Sequence, residues 1–383
     1  MSRYLIVGAG RSGINAAQLL IKVGEDFIIY DGNENFDTAA ACEKIGRDNI
    51  EFILGDFSGF DFSRVDICVV SPGVSLETPI MKAVKEHNIP IWGEVELAYR
   101  HDKGTVIGIT GTNGKTTTTS LTYDIMKRHA KKALLVGNIE IPYTGYALES
   151  DKDSVTVAEI SSFQLETMVT FKPHVTAILN ITPDHLDRHK TMENYANAKG
   201  KIFANQGPEE YCIYNYDDEI VRKLVKNCKA KLIPFSRKRE FECSSAYVKN
   251  GNIVVRDGKF IFVVCRDDAL KIPGLHNLEN ALAAAAISYF AGIKIDVIAK
   301  VLKTFKGVEH RIEDCGAVNG VKYINDSKGT NPDAAIKAVM SFRNILLIAG
   351  GYDKGASFDE FIAGFDGRVK TLILMGVTAP KIK

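Results

Sequence analysis

The sequence predicts an α/β protein with parallel sheets, divided into three domains. Short apolar runs alternate with amphipathic helical stretches, which is typical of parallel sheets covered by helices. Twice, an apolar run leads through a glycine-rich loop into a helical stretch. A chain of 383 residues is also too long for a single hydrophobic core. We therefore expect domains at 1–102, 103–307 and 308–383.

The first glycine-rich loop predicts a Rossmann-like nucleotide-binding domain. An apolar run at 4–7 leads into 8–13 (GAGRSG) and then into a helical stretch, while Asp31 ends the next strand. This is the G-x-G-x-x-G pattern in the context that dinucleotide binding requires, with an acidic residue placed for a ribose. The segment 71–73 (SPG) would lie at the same sheet edge. Taken alone, the loop favours an NAD-dependent oxidoreductase; the alternative is that the glycines serve packing only.

The second glycine-rich loop predicts a nucleoside-triphosphate site in the central domain. A strand at 105–110 is followed by 111–116 (GTNGKT) and a helix. Backbone N–H groups and a helix N-terminus attract phosphate, a lysine adds charge, and a hydroxyl can reach Mg²⁺. Ile109 replaces the first glycine of the strict phosphate-loop spacing, so an ordinary turn with a surface lysine is the alternative. A phosphate loop in mid-chain weakens the dehydrogenase interpretation.

Polar residues at predicted strand ends suggest a metal site beside this loop. Glu159 and His185 follow two apolar strands of the central domain, and the ends of parallel strands share one sheet edge. The alternatives are a satisfied polar residue and a histidine in a capped turn. Spacing alone predicts that Lys199 is a solvated helix lysine, and Asn277 and Asn280 could simply cap a helix.

Composition excludes several classes of protein. The net charge of +1 shows no bias towards polyanions, so we expect no nucleic-acid partner. The seven cysteines have neither disulfide-framework nor zinc-ligand spacing, which favours a reduced compartment. There is no signal-peptide pattern and no apolar run of the ~20 residues that span a bilayer. We expect a cytoplasmic protein without membrane insertion.

The last part of the chain predicts a third, Rossmann-like α/β region after a hinge at 307–313. Strands are expected at 321–325, 344–349 and 369–375, with Pro332 opening a helix. Hairpins are expected earlier, between 231 and 266. Few residues follow the last strand, so we expect a truncated domain whose sheet is bare on one flank.

Seven motifs follow one another along the chain: 111–116 (GTNGKT), 159–166 (EISSFQLE), 180–188 (NITPDHLDR), Tyr195 to Lys199, 274–281 (GLHNLENA), His310-Arg311 and 325–331 (NDSKGTN). Together and in this order they resemble the Mur ligases of peptidoglycan synthesis, most closely the branch that adds D-glutamate. The resemblance covers the chain from its first strand to about residue 376.

The resemblance implies an ATP-dependent amide-forming ligase. ATP would phosphorylate the carboxylate of UDP-N-acetylmuramoyl-L-alanine, and the amine of D-glutamate would attack the acyl phosphate. We expect a monomer. Two other hypotheses stay open: a different amino-acid ligase of the family, and a catalytically weak protein that binds nucleotide and UDP-sugar.

The resemblance also implies roles for single residues. The implied ligands of two Mg²⁺ ions are Thr116, Glu159, His185 and Lys199, the last carbamylated by CO₂. The implied ATP-binding residues are Gly111, Thr112, Asn113, Gly114, Lys115, Thr116, Thr117, Asn277, Asn280, Arg311 and Asp326. The implied UDP-substrate residues are Gly10, Arg11, Ser12, Gly13, Asp31, Ser71, Pro72, Gly73 and Asn138. The implied D-glutamate residues are His185, Lys328, Thr330 and Lys354, and the implied catalytic residues are Lys115, Asn138, His185, Lys199 and Lys328.

Two features depart from the family pattern. Glu140 stands where relatives usually have glycine, and the chain stops before a serine-containing segment that helps to hold the D-glutamate carboxylate.

Overall fold

The computed structural model describes residues 2–139, 141–352 and 357–383. Within these ranges the strands are β1 Arg3–Val7, β2 Asp26–Asp31, β3 Glu51–Leu54, β4 Ile67–Val70, β5 Ile91–Gly93, β6 Thr105–Thr110, β7 Lys132–Gly137, β8 Ser154–Glu159, β9 Val175–Ile178, β10 Tyr211–Asn215, β11 Lys231–Ser236, β12 Ser245–Lys249, β13 Asn252–Asp257, β14 Phe260–Arg266, β15 Glu313–Val318, β16 Val321–Asn325, β17 Ile345–Gly350 and β18 Val369–Met375. The α-helices are α1 Arg11–Val23, α2 Thr38–Ile45, α3 Pro79–Glu86, α4 Glu94–Tyr99, α5 Lys115–Lys127, α6 Ser162–Leu165, α7 Leu186–His189, α8 Met192–Gly200, α9 Glu219–Leu224, α10 Leu275–Phe290, α11 Ile295–Thr304, α12 Pro332–Met340, α13 Asp359–Ala363 and α14 Ala379–Ile382. The chain forms two compact units, the first made of 1–110, 130–176 and 197–210, and the second of 111–129, 177–196 and 211–383.

The first unit contains a five-stranded parallel sheet with the order β3-β2-β1-β4-β5. Alternate residues of the central strands enter two separate apolar clusters: Ile6 and Ile29 belong to one, and Leu5 and Ile28 to the other. A strand that is buried on both faces reads as a continuous apolar run, which explains the pattern in the sequence. The same unit holds the parallel strands β6, β8 and β7, with β8 in the middle.

The second unit contains strands β10 to β14. Strands β10, β11 and β12 pair in parallel, whereas β12, β13 and β14 are antiparallel, so the predicted hairpins are confirmed. Helix α10 packs on these strands and on α5, and its alanines are fully buried, because small side chains let a helix lie close to its neighbours. This packing places the start of α10 beside the start of α5.

The end of the second unit contains two pairs of strands. Strands β15 and β16 form an antiparallel pair, β17 and β18 form a parallel pair, and α12 begins at Pro332 as predicted. Leu346 and Ile348 on β17 are 60% and 61% exposed. The predicted α/β class is confirmed, while the three domain boundaries stay predictions. Among the described residues, no helix has the length and apolar character needed to cross a membrane.

Candidate active site

The phosphate loop lies between the end of β6 and the start of α5. Gly114 precedes the helix with φ +82°, a left-handed conformation that favours glycine. A Cβ at this position would lie 2.3 Å from Asn280 Oδ1 on α10. Both the backbone conformation and the close approach of α10 therefore require glycine here.

Side chains from the segment after β9 hold the loop in place. Asn180 Oδ1 accepts from the Asn113 backbone N–H at 2.8 Å, and Asn180 Nδ2 donates to the Asn113 carbonyl at 2.9 Å. The hydroxyls of Thr112 and Tyr195 are 3.1 Å apart, and burial raises the pKa of the Tyr195 phenol. These contacts hold the loop from a segment outside its own strand and helix.

Two cations approach the loop. Lys115 Nζ donates to the Gly111 and Thr112 carbonyls at 2.9 and 2.8 Å. Arg311 Nη2 donates to the Thr116 hydroxyl at 3.1 Å. Arg311 Nε is buried and has no hydrogen-bond partner among the described residues. Because an unpaired buried donor is costly, this guanidinium is well suited to an anionic ligand.

A pocket of the second unit collects many of the predicted nucleotide residues. It is lined by Asn113, Gly114, Thr117, Leu179, Asn180, Phe235, His276, Asn277, Glu279, Asn280, Arg311, Ile312, Asp326, Gly329, Ala334 and Lys337. Seven of these were predicted to bind ATP: Asn113, Gly114, Thr117, Asn277, Asn280, Arg311 and Asp326. Of the predicted D-glutamate residues, His185, Lys328 and Thr330 are not among the lining residues, and Lys354 lies outside the described residues.

The two predicted asparagines form a hydrogen-bonded chain at the start of α10. Asn280 Nδ2 donates to Asn277 Oδ1 at 3.1 Å, and Asn280 Oδ1 accepts from the Thr118 hydroxyl at 3.2 Å. Asn277 Nδ2 donates to the Pro273 carbonyl at 2.6 Å. The helix has Gly274 as its N-cap, without a side-chain cap, so the capping alternative is wrong.

Sequence reasoning missed several lining residues as individual site residues. His276 lies within the motif 274–281. Burial, with a smaller contribution from Lys337, lowers its pKa to about 4, so the imidazole is neutral at pH 7. Glu279 accepts from Arg237 Nε at 2.6 Å. Asp333, two positions after Asn331, does not line the pocket, but its carboxylate accepts from the Asn113 side chain of the loop. No spacing rule marks an aspartate in the first turn of a helix as a loop contact, because acidic residues are common there.

An unusual backbone places Arg311. His310 and Ile312, on either side of it, have φ values of +64° and +46°. For a β-branched isoleucine this conformation is strained, at a cost of about 1–3 kcal/mol. The Ile312 N–H donates to Asp326 Oδ1 at 3.1 Å, and burial raises the pKa of the Asp326 carboxyl. Strain in the predicted hinge thus coincides with a residue that reaches the phosphate loop.

The first unit carries the predicted UDP-substrate loop, which opens α1. A Cβ on Gly13 would lie 2.0 Å from the Gly8 carbonyl oxygen, so the loop closes tightly on its helix. Asp31 Oδ2 accepts from the Ala9 N–H at 2.8 Å, and the Ser71 hydroxyl donates to the Gly8 carbonyl at 2.9 Å. Asp31 and Ser71 therefore support the loop directly. Their roles in substrate binding stay predictions, as do those of Gly10, Arg11, Ser12, Pro72 and Gly73.

The first unit also holds two of the predicted metal ligands. Glu159 is 1% exposed; its Oε1 accepts from Asn138 Nδ2 at 2.8 Å, while its Oε2 has no partner among the described residues. Lys199 is also 1% exposed, so the expectation from spacing of a solvated lysine is wrong. A buried carboxylate oxygen without a donor suits a cation.

The other two predicted metal ligands, Thr116 and His185, belong to the second unit. His185 has φ +52° and precedes α7. Within the described ranges, no group of three or more His, Cys, Asp or Glu residues is arranged to hold a metal. The proposed ligand set includes a threonine and a modified lysine, and it stays a prediction.

Comparison with known proteins covers nearly the whole chain. Residues 109–288 match the family described as Mur ligase middle domain, residues 2–93 match Mur ligase MurD-like, N-terminal domain, and residues 310–383 match Mur ligase, glutamate ligase domain. The chain is 49% identical over 382 residues to the UDP-N-acetylmuramoylalanine–D-glutamate ligase of Caldanaerobacter subterraneus subsp. tengcongensis. The matched region covers 100% of this chain and 84% of that protein. The protein of the same name from Thermoanaerobacter sp. has the same identity and coverage. MurF from Acinetobacter baumannii has a similar fold, with a TM-score of 0.63 at 16% identity over 98% of this chain and 85% of MurF.

Proposed function

The chain belongs to the Mur ligase family, and we propose that it joins D-glutamate to UDP-N-acetylmuramoyl-L-alanine with hydrolysis of ATP to ADP and phosphate. The names of the relatives supply the substrates. The structural observation that carries the proposal is the pocket of the second unit, in which loop residues, the asparagines of α10 and Arg311 line one cavity.

The residues of this pocket suit a nucleoside triphosphate. Arg311 lines the pocket and its Nε, which has no partner among the described residues, can donate to a phosphate oxygen, while Lys115 of the adjoining loop adds a second positive charge. The neutral imidazole of His276 and the amides of Asn277 and Asn280 offer uncharged polar groups, as an adenine ring requires. Positive charge therefore lies at the loop, and α10 offers neutral groups beside the Glu279 carboxylate, which is paired with Arg237; this distribution suits the phosphates and the adenine of ATP.

Magnesium fits the residues proposed to hold it. The test is Glu159, whose buried Oε2 has no donor among the described residues. We propose Thr116, Glu159, His185 and a carbamylated Lys199 as the ligands of Mg²⁺. We also propose that the reaction uses neither NADH nor NAD⁺. Bound Mg²⁺ would neutralise charge on phosphate oxygens.

The reaction needs the acceptor carboxylate to be held against the γ-phosphate. Its oxygen attacks phosphorus and ADP leaves; the D-glutamate amine then attacks the acyl carbon, and phosphate leaves as the amide forms and the amine loses its proton. Lys115 and Arg311 would stabilise negative charge on the transferred group, since preorganised cations stabilise a transition state without reorganisation. Asn138, bound to Glu159, would orient the acceptor, and Lys328, Thr330 and Lys354 would hold D-glutamate.

The remaining proposals concern the UDP substrate and the cellular setting. The loop of the first unit, with Asp31 and Ser71 beneath it, would bind the uridine diphosphate. We propose a monomeric enzyme that acts in the cytoplasm.

Phosphate release tests the reaction. It should require ATP, UDP-N-acetylmuramoyl-L-alanine and D-glutamate together, and it should fail with L-glutamate or meso-diaminopimelate as the amino acid. Release with diaminopimelate in place of D-glutamate would instead identify a different ligase of the family.

Lys199→Ala tests the carbamate. We expect near-complete loss of activity with partial recovery on addition of formate or acetate, which can supply the missing carboxylate. Replacing a buried side chain such as Lys199 can also disturb folding. Circular dichroism should therefore show that the variant is folded. Full activity without added carboxylate would contradict the proposal.

A further inference from the structure

Asp333 contacts the tip of the phosphate loop from the first turn of α12. Its Oδ2 accepts from Asn113 Nδ2 at 2.6 Å and from the Thr182 hydroxyl at 3.3 Å. Lys337, one turn further along, donates to the same oxygen at 2.8 Å. One carboxylate oxygen therefore joins the loop, the segment after β9 and α12 by charge-assisted hydrogen bonds.

Asn331 makes a second connection to the same loop residue. Its Nδ2 donates to Asn113 Oδ1 at 3.2 Å and to Asp184 Oδ2 at 3.3 Å. Its Oδ1 accepts from the Ala334 N–H at 2.8 Å and so caps α12. Both ends of the Asn113 side-chain amide are thus bound to the start of this helix.

The backbone and the side chain of Asn113 face different partners. Asn180 binds its backbone N–H and carbonyl, whereas its side chain binds Asp333 and Asn331. The position of the loop therefore determines the position of the start of α12. Lys328 and Thr330, proposed to hold D-glutamate, immediately precede this helix.

We propose that Asp333 is a positioning residue that couples the phosphate loop to the amino-acid site. When a nucleotide fixes the loop, Asp333 fixes the start of α12 and with it the segment 328–331. This inference rests on the proposed function of the site. A general stabilising role is a poor alternative, because the Asp333 side chain is 33% exposed and a partly exposed ion pair with Lys337 contributes little.

Steady-state kinetics of Asp333→Ala provide the test. Loss of the charge-assisted bonds to the loop should raise KM for D-glutamate about tenfold at saturating ATP. The Kd for ATP, measured without the other substrates, should change less than about threefold, because Asp333 itself does not line the pocket and Asn180 still holds the backbone of Asn113 in the variant. Asp314→Asn is the matched control, because it removes an exposed carboxylate that binds Lys322 at 2.9 Å; its constants should equal those of the wild type.

A double-mutant cycle with Asn113→Ala locates the coupling. The double variant should raise KM for D-glutamate by clearly less than the product of the two single effects, because both changes remove the Asn113–Asp333 bond, although Asn113→Ala also removes the bond to Asn331. Independent, multiplying effects would overturn the inference. So would an unchanged KM, or an equal loss of ATP affinity in Asp333→Ala.

Hydrogen exchange of the full chain separates this inference from the proposed reaction. A non-hydrolysable ATP analogue should slow exchange in 331–340 in the wild type but not in Asp333→Ala. The same slowing in both proteins would overturn the coupling. Slowing only in the wild type, combined with no phosphate release in a separate assay that supplies ATP, UDP-N-acetylmuramoyl-L-alanine and D-glutamate, would support the coupling and refute the proposed reaction.

Discussion

The two glycine-rich loops look alike in sequence but are supported in different ways. The loop at 8–13 is held by residues of its own sheet, because Asp31 ends the neighbouring strand β2 and Ser71 follows β4. The loop at 111–116 is contacted by Asn180, Asn280, Arg311 and Asp333, which lie up to 220 positions away along the chain. The first loop is complete within one small sheet, and the second depends on distant segments.

This difference shows why similar patterns lead to different chemistry. A loop supported by its own strands can bind a ligand without changing other parts of the chain. A loop contacted by Arg311 and Asp333 is linked to the last part of the chain, so phosphate binding there would be communicated to that part. This difference agrees with the proposal that the first loop holds the substrate and the second serves phosphoryl transfer.

The largest expected effect comes from the lysine of the second loop. Lys115→Ala should lower kcat for phosphate release by about 10²–10³-fold, the usual cost of removing one group that stabilises transition-state charge. Lys127→Ala, an exposed lysine at the end of the same helix, is the control and should keep wild-type rates. An unchanged kcat in Lys115→Ala would show that the second loop takes no part in phosphoryl transfer.

Arg11→Ala is the corresponding change in the first loop. It should raise KM for the UDP substrate about tenfold while kcat stays within about threefold of the wild-type value. The reason is that Arg11 would bind the substrate equally well in the ground state and in the transition state. A fall in ATP affinity would show that the two loops are not divided as we propose.

The next effect tests how closely α10 approaches the second loop. Gly114→Ala introduces a Cβ 2.3 Å from Asn280 Oδ1 at a residue with φ +82°. We expect a loss of about 1–3 kcal/mol in the free energy of unfolding and a rise in Kd for ATP of at least about tenfold. Calorimetry can measure both. Gly59→Ala, at an exposed glycine with no atom within 4 Å of the new Cβ, should change neither.

Sequence reasoning reached the parts of the fold and site that depend on local order. Strand, glycine loop and helix are consecutive in the chain, so both loops and their supporting strands were predictable. The asparagines at 277 and 280 were found through the family motif, but the hydrogen bond that Thr118 donates to Asn280 was not, because it depends on how α10 packs against α5.

The contacts of the last segment show the limit of sequence reasoning. Asp333 follows a predicted helix start, yet nothing in its neighbours indicates that it binds Asn113. The positive φ of Ile312 is equally hidden, because β-branched residues disfavour it and only the tertiary structure imposes it. Burial of Lys199 likewise contradicts what helical spacing predicts.

A smaller effect should follow from weakening the support of the first loop. Asp31→Ala removes the acceptor of the Ala9 N–H and should raise KM for the UDP substrate by about threefold, less than Arg11→Ala, because Asp31 acts through the position of the loop. The Kd for ATP should stay at the wild-type value. Asp56→Ala, which removes an exposed carboxylate of the same unit that accepts from Ser58, is the control.

The smallest effect concerns pH and belongs to the pocket of the second loop. Burial lowers the pKa of folded His276 to about 4, whereas the unfolded side chain has the ordinary value of 6.5. Between these values the unfolded chain binds more protons, so the free energy of unfolding falls as pH drops through this window. His276→Gln should weaken that dependence by about 1 kcal/mol between pH 7.5 and 5.5. Urea unfolding at both pH values measures this, and the difference between the proteins at pH 7.5 gives the cost of the substitution itself. Parallel pH curves for the two proteins would show that His276 is not kept neutral by its surroundings.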